Sequence, residues 1–232
     1  MLEPLPPTFA STVASLHEVA AELVASARKP ENEISLEATP EGFGTPFFEF
    51  DGARRRVRVE GDELIHECNE HQRRAQLRSL VSGGEAITEL LPIDTRLSDA
   101  PLEVDPVASR ALGAFYGFGA ETLGRLLDGA GPDDEASPVR LWPEHFDIAI
   151  ELGCEERGVR ANYGFSPGDE QHPEPYLYVG PWSAAVEGEL WNGHGFSGAE
   201  LSYSELLAAA DPAAAADDFF ASRREALAAL TR

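Results

Sequence analysis

The region from residue 141 to residue 182 constrains the fold of this chain more than any other part of its sequence. It contains short runs of alternating apolar and polar residues, separated by turns rich in Pro and Gly. Alternation with a period of two is typical of strands with one buried face, and such turns connect neighbouring strands. We therefore expect this region to form part of an antiparallel sheet.

Amphipathic helices are predicted before and after the segments that resemble strands. Apolar residues between positions 9 and 28 follow helical spacing. Asp105-Pro106 and Asp211-Pro212 each place a capping side chain directly before a proline at the first helical position. The spacing predicts that the two later helices continue to about residues 128 and 230.

Shorter elements are predicted between these helices. Residues 33–38 alternate as a strand, and residues 54–68 are typical of a hairpin that turns at Gly61-Asp62. A short helix is expected over residues 74–82 and another from Tyr203 to about residue 209. A strand is expected over residues 145–152.

The order of these elements predicts an α+β fold with a mainly antiparallel sheet flanked by helices. Each half of the chain has a helix, then strands, then a helix, so two similar α-β-α halves sharing one sheet are expected. We predict a single domain over residues 1–232, with a half-boundary around residues 92–104. The alternative is a pair of small α+β domains joined at that boundary.

Charge and composition limit the partners and the compartment. The formal net charge is −23, and a surface this acidic repels nucleic acid and anionic membranes. The two cysteines, Cys68 and Cys154, are too few for a zinc motif or a secreted disulfide framework. No signal peptide or membrane-spanning run is recognised. We therefore expect a cytoplasmic protein that binds neither nucleic acid nor membrane.

A metal site is the first functional hypothesis. His145 and Asp147 are two residues apart on one predicted strand face, roughly 7 Å along the strand. With His172 they supply two imidazoles and one carboxylate, which is a known ligand set for metals; His194 is the alternative second imidazole. Three more carboxyl side chains are close in sequence: Asp169, Glu170 and Glu174.

This hypothesis predicts a small-molecule enzyme or metal-binding protein with its site in residues 141–182. A divalent metal would act as a Lewis acid on a water or substrate oxygen. Without a metal, His145 could act as a general base oriented by Asp147. Iron oxygenases with such a triad usually hold a cosubstrate carboxylate with an arginine, and no arginine occurs between Arg160 and Arg223.

A non-catalytic binding module is the second hypothesis. Tyr176 and Tyr178 share one face of a predicted strand that ends at Trp182. Together with Tyr163 and Trp142, these rings could line a pocket for a sugar, a nucleoside or a cation. The strand could instead bind a protein partner or pair across a homodimer. The plain alternative is a sheet face covered by a helix, with the tyrosine hydroxyls reaching solvent.

Three segments carry a family resemblance. LWPEHFD (141–147), NYGFSPGD (162–169) and HPEPYLYVGPW (172–182) resemble segments of a bacterial, mainly actinobacterial, family of hypothetical proteins. SLHEVAAELVASAR (15–28) and ATPEGFGTPFFEF (38–50) are also similar to it, so the resemblance covers most of the chain. It implies no activity, and no functional residues are carried over from it.

Overall fold

The chain divides into two compact units. The first contains Met1–Gly117 and Leu141–Phe146, and the second contains Phe118–Arg140 and Asp147–Arg232. The predicted half-boundary at residues 92–104 falls inside the first unit, and the single-domain hypothesis stays a prediction. The computed structural model describes residues 2–92, 95–169, 171–182 and 185–230.

The first unit begins with helix α1 (Phe9–Val19). The chain continues through a π-helical turn, Ala20–Val24, and a 3-10 turn, Ala25–Glu31. The predicted helix over residues 9–28 is therefore confirmed, with a change of hydrogen-bonding pattern near its end. Its apolar stripe is fully buried and includes Leu16, Val19, Ala20, Leu23 and Val24.

An antiparallel sheet of six strands completes most of the first unit. The strands are β1 (Glu37–Thr39), β2 (Gly42–Gly44), β3 (Phe48–Phe50), β4 (Ala53–Glu60), β5 (Glu63–Cys68) and β6 (His71–Gln76). Their order is β1-β2-β4-β5-β6, and β3 also pairs with β4. The predicted hairpin is formed by β4 and β5, and Gly61 in its turn has a φ of +60°.

The helix predicted over residues 74–82 is wrong in its first part. Residues up to Gln76 belong to β6, and only Leu80–Gly84 is helical (α2), capped by Ser79. Most β6 side chains are exposed, so no alternation of apolar residues marks it as a strand. Its pairing with β5 over six residue pairs determines the strand instead.

Helix α3 (Pro106–Asp128) begins and ends as predicted. Asp105 caps it, since its Oδ1 accepts a hydrogen bond of 2.8 Å from the backbone N of Val107. A Cβ at Gly113 would lie 2.3–2.8 Å from backbone atoms of Glu41 and Gly42, so only glycine permits this approach to β2. The boundary between the two units falls within α3.

A second antiparallel sheet has five strands. They are β7 (Arg140–Trp142), β8 (Asp147–Leu152), β9 (Ala161–Ser166), β10 (Tyr176–Pro181) and β11 (Ala199–Ser202). Their order is β11-β10-β9-β8-β7. The strand predicted to begin at residue 145 begins at Asp147, because Phe146 adopts a φ of +54° that interrupts extended backbone.

The helices of the second unit pack against one face of that sheet. Helix α4 (Tyr203–Ala208) is capped by Ser202, and α5 (Pro212–Ala229) is capped by Asp211 as predicted. Phe220 on α5 contacts the rings of Tyr163 and Phe165 at centroid distances of 5.9 and 5.6 Å. This apolar face is the core of the second unit.

The α+β class predicted from the sequence is confirmed. The strands form two antiparallel sheets rather than one sheet shared by both halves. Within the residues that the structure describes, none of the helices combines the length and the apolar character needed to cross a membrane.

Candidate functional site

The register of the second sheet divides the predicted site residues between its two faces. Tyr178 is opposite Gly164, and Val179 is opposite Tyr163. Because side chains alternate along a strand, Tyr176 and Tyr178 lie on one face and Tyr163 lies on the other. The face with Tyr176 and Tyr178 also carries Asp147, Ser166 and Glu200.

We call seven side chains on and beside this face the Tyr–His–acid cluster. Four come from strands β8, β10 and β11, and three come from the loops that precede β10 and β11. The members are Asp147, Asp169, His172, Tyr176, Tyr178, His194 and Glu200. All of them belong to the second unit.

Tyr178 reaches Asp147 across a glycine. A Cβ at Gly164 would lie 2.6 Å from Cε1, Cζ and the hydroxyl oxygen of Tyr178, so the ring lies directly over that residue. The Tyr178 hydroxyl donates a hydrogen bond to Oδ2 of Asp147. Asp147 is only 7% exposed, so this bond ties a buried carboxylate to β10.

Tyr176 makes the corresponding contact with Asp169. Its hydroxyl donates to Oδ2 of Asp169 at 3.3 Å, and its ring stacks on the imidazole of His172 with a centroid distance of 4.2 Å. The Asp169 carboxylate also accepts hydrogen bonds from the backbone amides of Gln171 and His172, at 2.7 and 2.9 Å. These hydrogen bonds from its own backbone amides to the Asp169 side chain stabilise the turn before β10.

His172 lies between two carboxylates. Its Nδ1 is 3.0 Å from Oδ1 of Asp169, and its Nε2 is 3.2 Å from Oε2 of Glu200. Only a doubly protonated imidazole can donate to both oxygens at once. The other Glu200 oxygen contacts Nδ1 of the exposed His194, and Phe196 lies edge-on to Tyr178 at 6.5 Å.

Burial and charge shift the pKa values of the cluster in opposite directions. Burial raises the pKa of the Tyr176 hydroxyl to about 12, and burial with the adjacent Asp147 carboxylate raises that of Tyr178 well above its usual value. Burial also acts to raise the pKa of Asp169 and of Glu200. Hydrogen bonds from histidine side chains and backbone amides outweigh it, so both carboxyl pKa values fall below normal.

The predicted metal ligands do not all belong to the same unit, and the predicted metal site stays a prediction. His145 is exposed in the turn before β8 and belongs to the first unit, whereas Asp147 and His172 belong to the second. Over residues 2–92, 95–169, 171–182 and 185–230, no three His, Cys, Asp or Glu side chains are arranged to hold a metal ion. Glu174 instead accepts a hydrogen bond from Ser204, and Glu170 lies outside the described residues.

The other predicted aromatic residues are Tyr163, Trp142 and Trp182. Tyr163 is 1% exposed in the core, and burial raises the pKa of its hydroxyl. Trp142 is half-buried in a segment of the first unit. Trp182 is 46% exposed beyond the end of β10, where it donates to Oδ1 of Asn162 and lies 4.8 Å from the Arg160 guanidinium. In the second unit, Tyr176 and Tyr178 contact the acidic groups, and the predicted aromatic pocket stays a prediction.

Glu200 and Phe196 are the members of this region that the sequence does not reveal. Both lie beyond the segment 141–182, and Phe196 is in a glycine-rich loop. The alternation of apolar Ala199 and Leu201 with polar Glu200 and Ser202 is the one signal in the sequence for a further strand. This alternation does not indicate which other strand the further strand would pair with.

Comparison of the chain with models of protein families, with curated proteins and with solved structures finds no match. The resemblance carried by the three segments is therefore still a prediction.

Proposed function

We propose that the second unit is a non-catalytic binding module whose ligand is a small organic cation. The Tyr–His–acid cluster is the contact surface. The observation that carries this proposal is that both nitrogens of His172 face carboxylates while its ring stacks on Tyr176. The cluster is thus an ordered aromatic and acidic surface.

The same geometry argues against proton transfer as its role. A general base needs a nitrogen or oxygen that can reach the substrate, and both His172 nitrogens are already engaged. The hydroxyls of Tyr176 and Tyr178 donate to carboxylates, and their raised pKa values keep them protonated near neutral pH. These groups are arranged to hold one another in position.

The charge of the cluster favours a cationic ligand. Asp147, Asp169 and Glu200 supply three carboxylates, against two imidazoles. An ammonium or guanidinium group is attracted both to these carboxylates and to the faces of the neighbouring aromatic rings. An anionic ligand would instead meet like charge at the same place.

A thermal-shift experiment tests this proposal with simple probes. Butylammonium and butylguanidinium are compared with butyrate and 1-butanol at equal concentration and equal ionic strength. A ligand that binds only the folded state raises the melting temperature by mass action. We expect both cations to raise it, and butyrate and 1-butanol to leave it unchanged.

Matched variants connect the effect to the cluster. Tyr176→Leu removes a ring and Glu200→Gln removes a charge, so each should reduce the shift produced by the cations. Glu187→Gln, at an exposed loop position, is the control and should leave the shift intact. An equal shift with 1-butanol would contradict the cationic ligand, and no shift with any probe would contradict the binding module.

A further inference from the structure

A histidine from the glycine-rich loop before β11 contacts the carboxylate of Glu200. Nδ1 of His194 lies against Oε1 of Glu200, and its backbone amide donates to Oε2 at 3.1 Å. Nε2 of His172 also reaches Oε2, at 3.2 Å. Both oxygens of Glu200 therefore have donors from this chain, and a ligand cation that uses Glu200 competes with them.

The two histidines on Glu200 differ in how firmly they are held. The side chain of His172 is 13% exposed, stacks on Tyr176 and contacts a second carboxylate, that of Asp169. The side chain of His194 is 79% exposed. Within the part of the chain that the structure describes, Glu200 is the only hydrogen-bond partner of its imidazole. A competing cation therefore displaces His194 more readily than His172.

The loop has other attachments to β11, so the imidazole can leave without the loop. The side chain of Asn192 and the backbone of Glu200 exchange two hydrogen bonds of 3.1 Å. The backbone amide of Gly193 donates to the carbonyl oxygen of Gly198 at 2.9 Å. Because these contacts do not involve the imidazole, rotation of the His194 side chain is enough to uncover Oε1 of Glu200.

The cationic ligand and His194 require the same oxygen atom. An ammonium group and an imidazole N–H make the same kind of contact with a carboxylate oxygen. Contacts between exposed charged groups are weak, so His194 leaves Oε1 of Glu200 for part of the time. A site that is open for only a fraction of the time binds its ligand more weakly by that fraction.

We propose that His194 is an internal competitor of the cationic ligand. Its imidazole occupies the Glu200 oxygen that the ligand uses, and ligand binding displaces it. This competition rests on the function proposed for the Tyr–His–acid cluster, and it makes the residue at position 194 a determinant of the affinity of that surface.

A series of substitutions at position 194 tests the competition. The affinity of the full chain for butylammonium is measured by NMR titration. His194→Ala removes the competitor and should bind about two- to sixfold more tightly than the wild type. His194→Arg supplies a longer donor that is always charged, and it should bind more weakly than the wild type. His71→Ala removes an exposed imidazole from β6 and should keep the wild-type affinity.

The imidazole nitrogen signals of the wild type report the displacement directly. At saturating butylammonium, the signals of His194 should move to those of a free histidine at the same pH. The signals of His172 should keep the pattern of a ring whose two nitrogens are both engaged. This measurement separates displacement of the imidazole from a general effect of charge on affinity.

Four results would overturn the competition while the binding module stands. They are equal affinities across the series at position 194, weaker binding in His194→Ala, a gain of the same size in His71→Ala, and His194 signals that do not move at saturation. Absence of binding in the wild type and in every variant would contradict the proposed function itself.

Discussion

The Tyr178 hydroxyl donates a hydrogen bond to the buried carboxylate of Asp147, two strands away across Gly164. This bond connects β10 to β8 on the polar face of the second sheet. It also fixes the orientation of one of the two aromatic rings in the Tyr–His–acid cluster.

Loss of the Tyr178 hydroxyl should destabilise the second unit. Tyr178→Phe keeps the ring but leaves the buried Asp147 carboxylate without this donor, so we expect the free energy of unfolding to fall by about 1–3 kcal/mol. Urea denaturation measures it. Tyr176→Phe is the matched comparison and should cost less, because its 3.3 Å bond goes to a more exposed carboxylate. Equal costs would contradict the special role of the Tyr178 bond.

A methyl group at Gly164 should displace the Tyr178 ring. Since the new Cβ would lie 2.6 Å from the ring, Gly164→Ala should reduce the free energy of unfolding by about 1–3 kcal/mol. Gly180→Ala on the same face of β10 is the control, because its Cβ would meet nothing within 4 Å, and we expect a change within about 0.5 kcal/mol.

A double-mutant cycle assigns this cost to the ring. In a Tyr178→Ala background, most of the cost of Gly164→Ala should disappear, since the group that it displaces is gone. Persistence of the full cost in that background would show that the strand backbone, and not the ring, excludes the methyl group.

Acid should weaken the cluster through Glu200 and Asp169. Their pKa values are lowered in the folded protein, so their contribution to stability is present above the unfolded values near 4 and is lost as the pH falls through the folded ones. We expect the free energy of unfolding to decrease below about pH 4.5, with a shallower slope in Glu200→Gln. Urea denaturation at several pH values measures the slope, and an identical slope in Glu187→Gln and Glu200→Gln would refute this.

Metal content tests the hypothesis of a site at His145, Asp147 and His172. Because His172 is engaged by Asp169 and Glu200, we expect the wild type and a His145→Ala/His172→Ala variant, purified without chelator, to contain the same amount of metal by mass spectrometry. Stoichiometric metal in the wild type that is lost in the variant would support the metal-binding hypothesis and would contradict the binding proposal for these residues.

Local signals in the sequence predict much of the fold. Asp105 and Asp211 mark the starts of α3 and α5 because side-chain capping acts within a few residues. The hairpin around Gly61 is predicted for the same reason, since the turn and the alternation of both strands are adjacent in the chain.

Features that depend on contacts between separate segments of the chain are harder to predict from the sequence. The strand β6 has exposed side chains and is determined by its partner β5, so its own residues do not distinguish it from a short helix. His145 fails to join the strand of Asp147 because the intervening Phe146 adopts a positive φ, which residue type alone does not indicate. The approach of Glu200 to His172 depends on the pairing of β11 with β10.

An NMR titration of the isotopically labelled chain with butylammonium is the most direct test of the binding proposal. We predict saturable shifts that are concentrated on Tyr176, Tyr178 and Glu200 and are strongly reduced in Glu200→Gln, with the strands of the first unit unaffected. Shifts that are absent, that do not saturate, or that lie away from the Tyr–His–acid cluster would contradict the proposal.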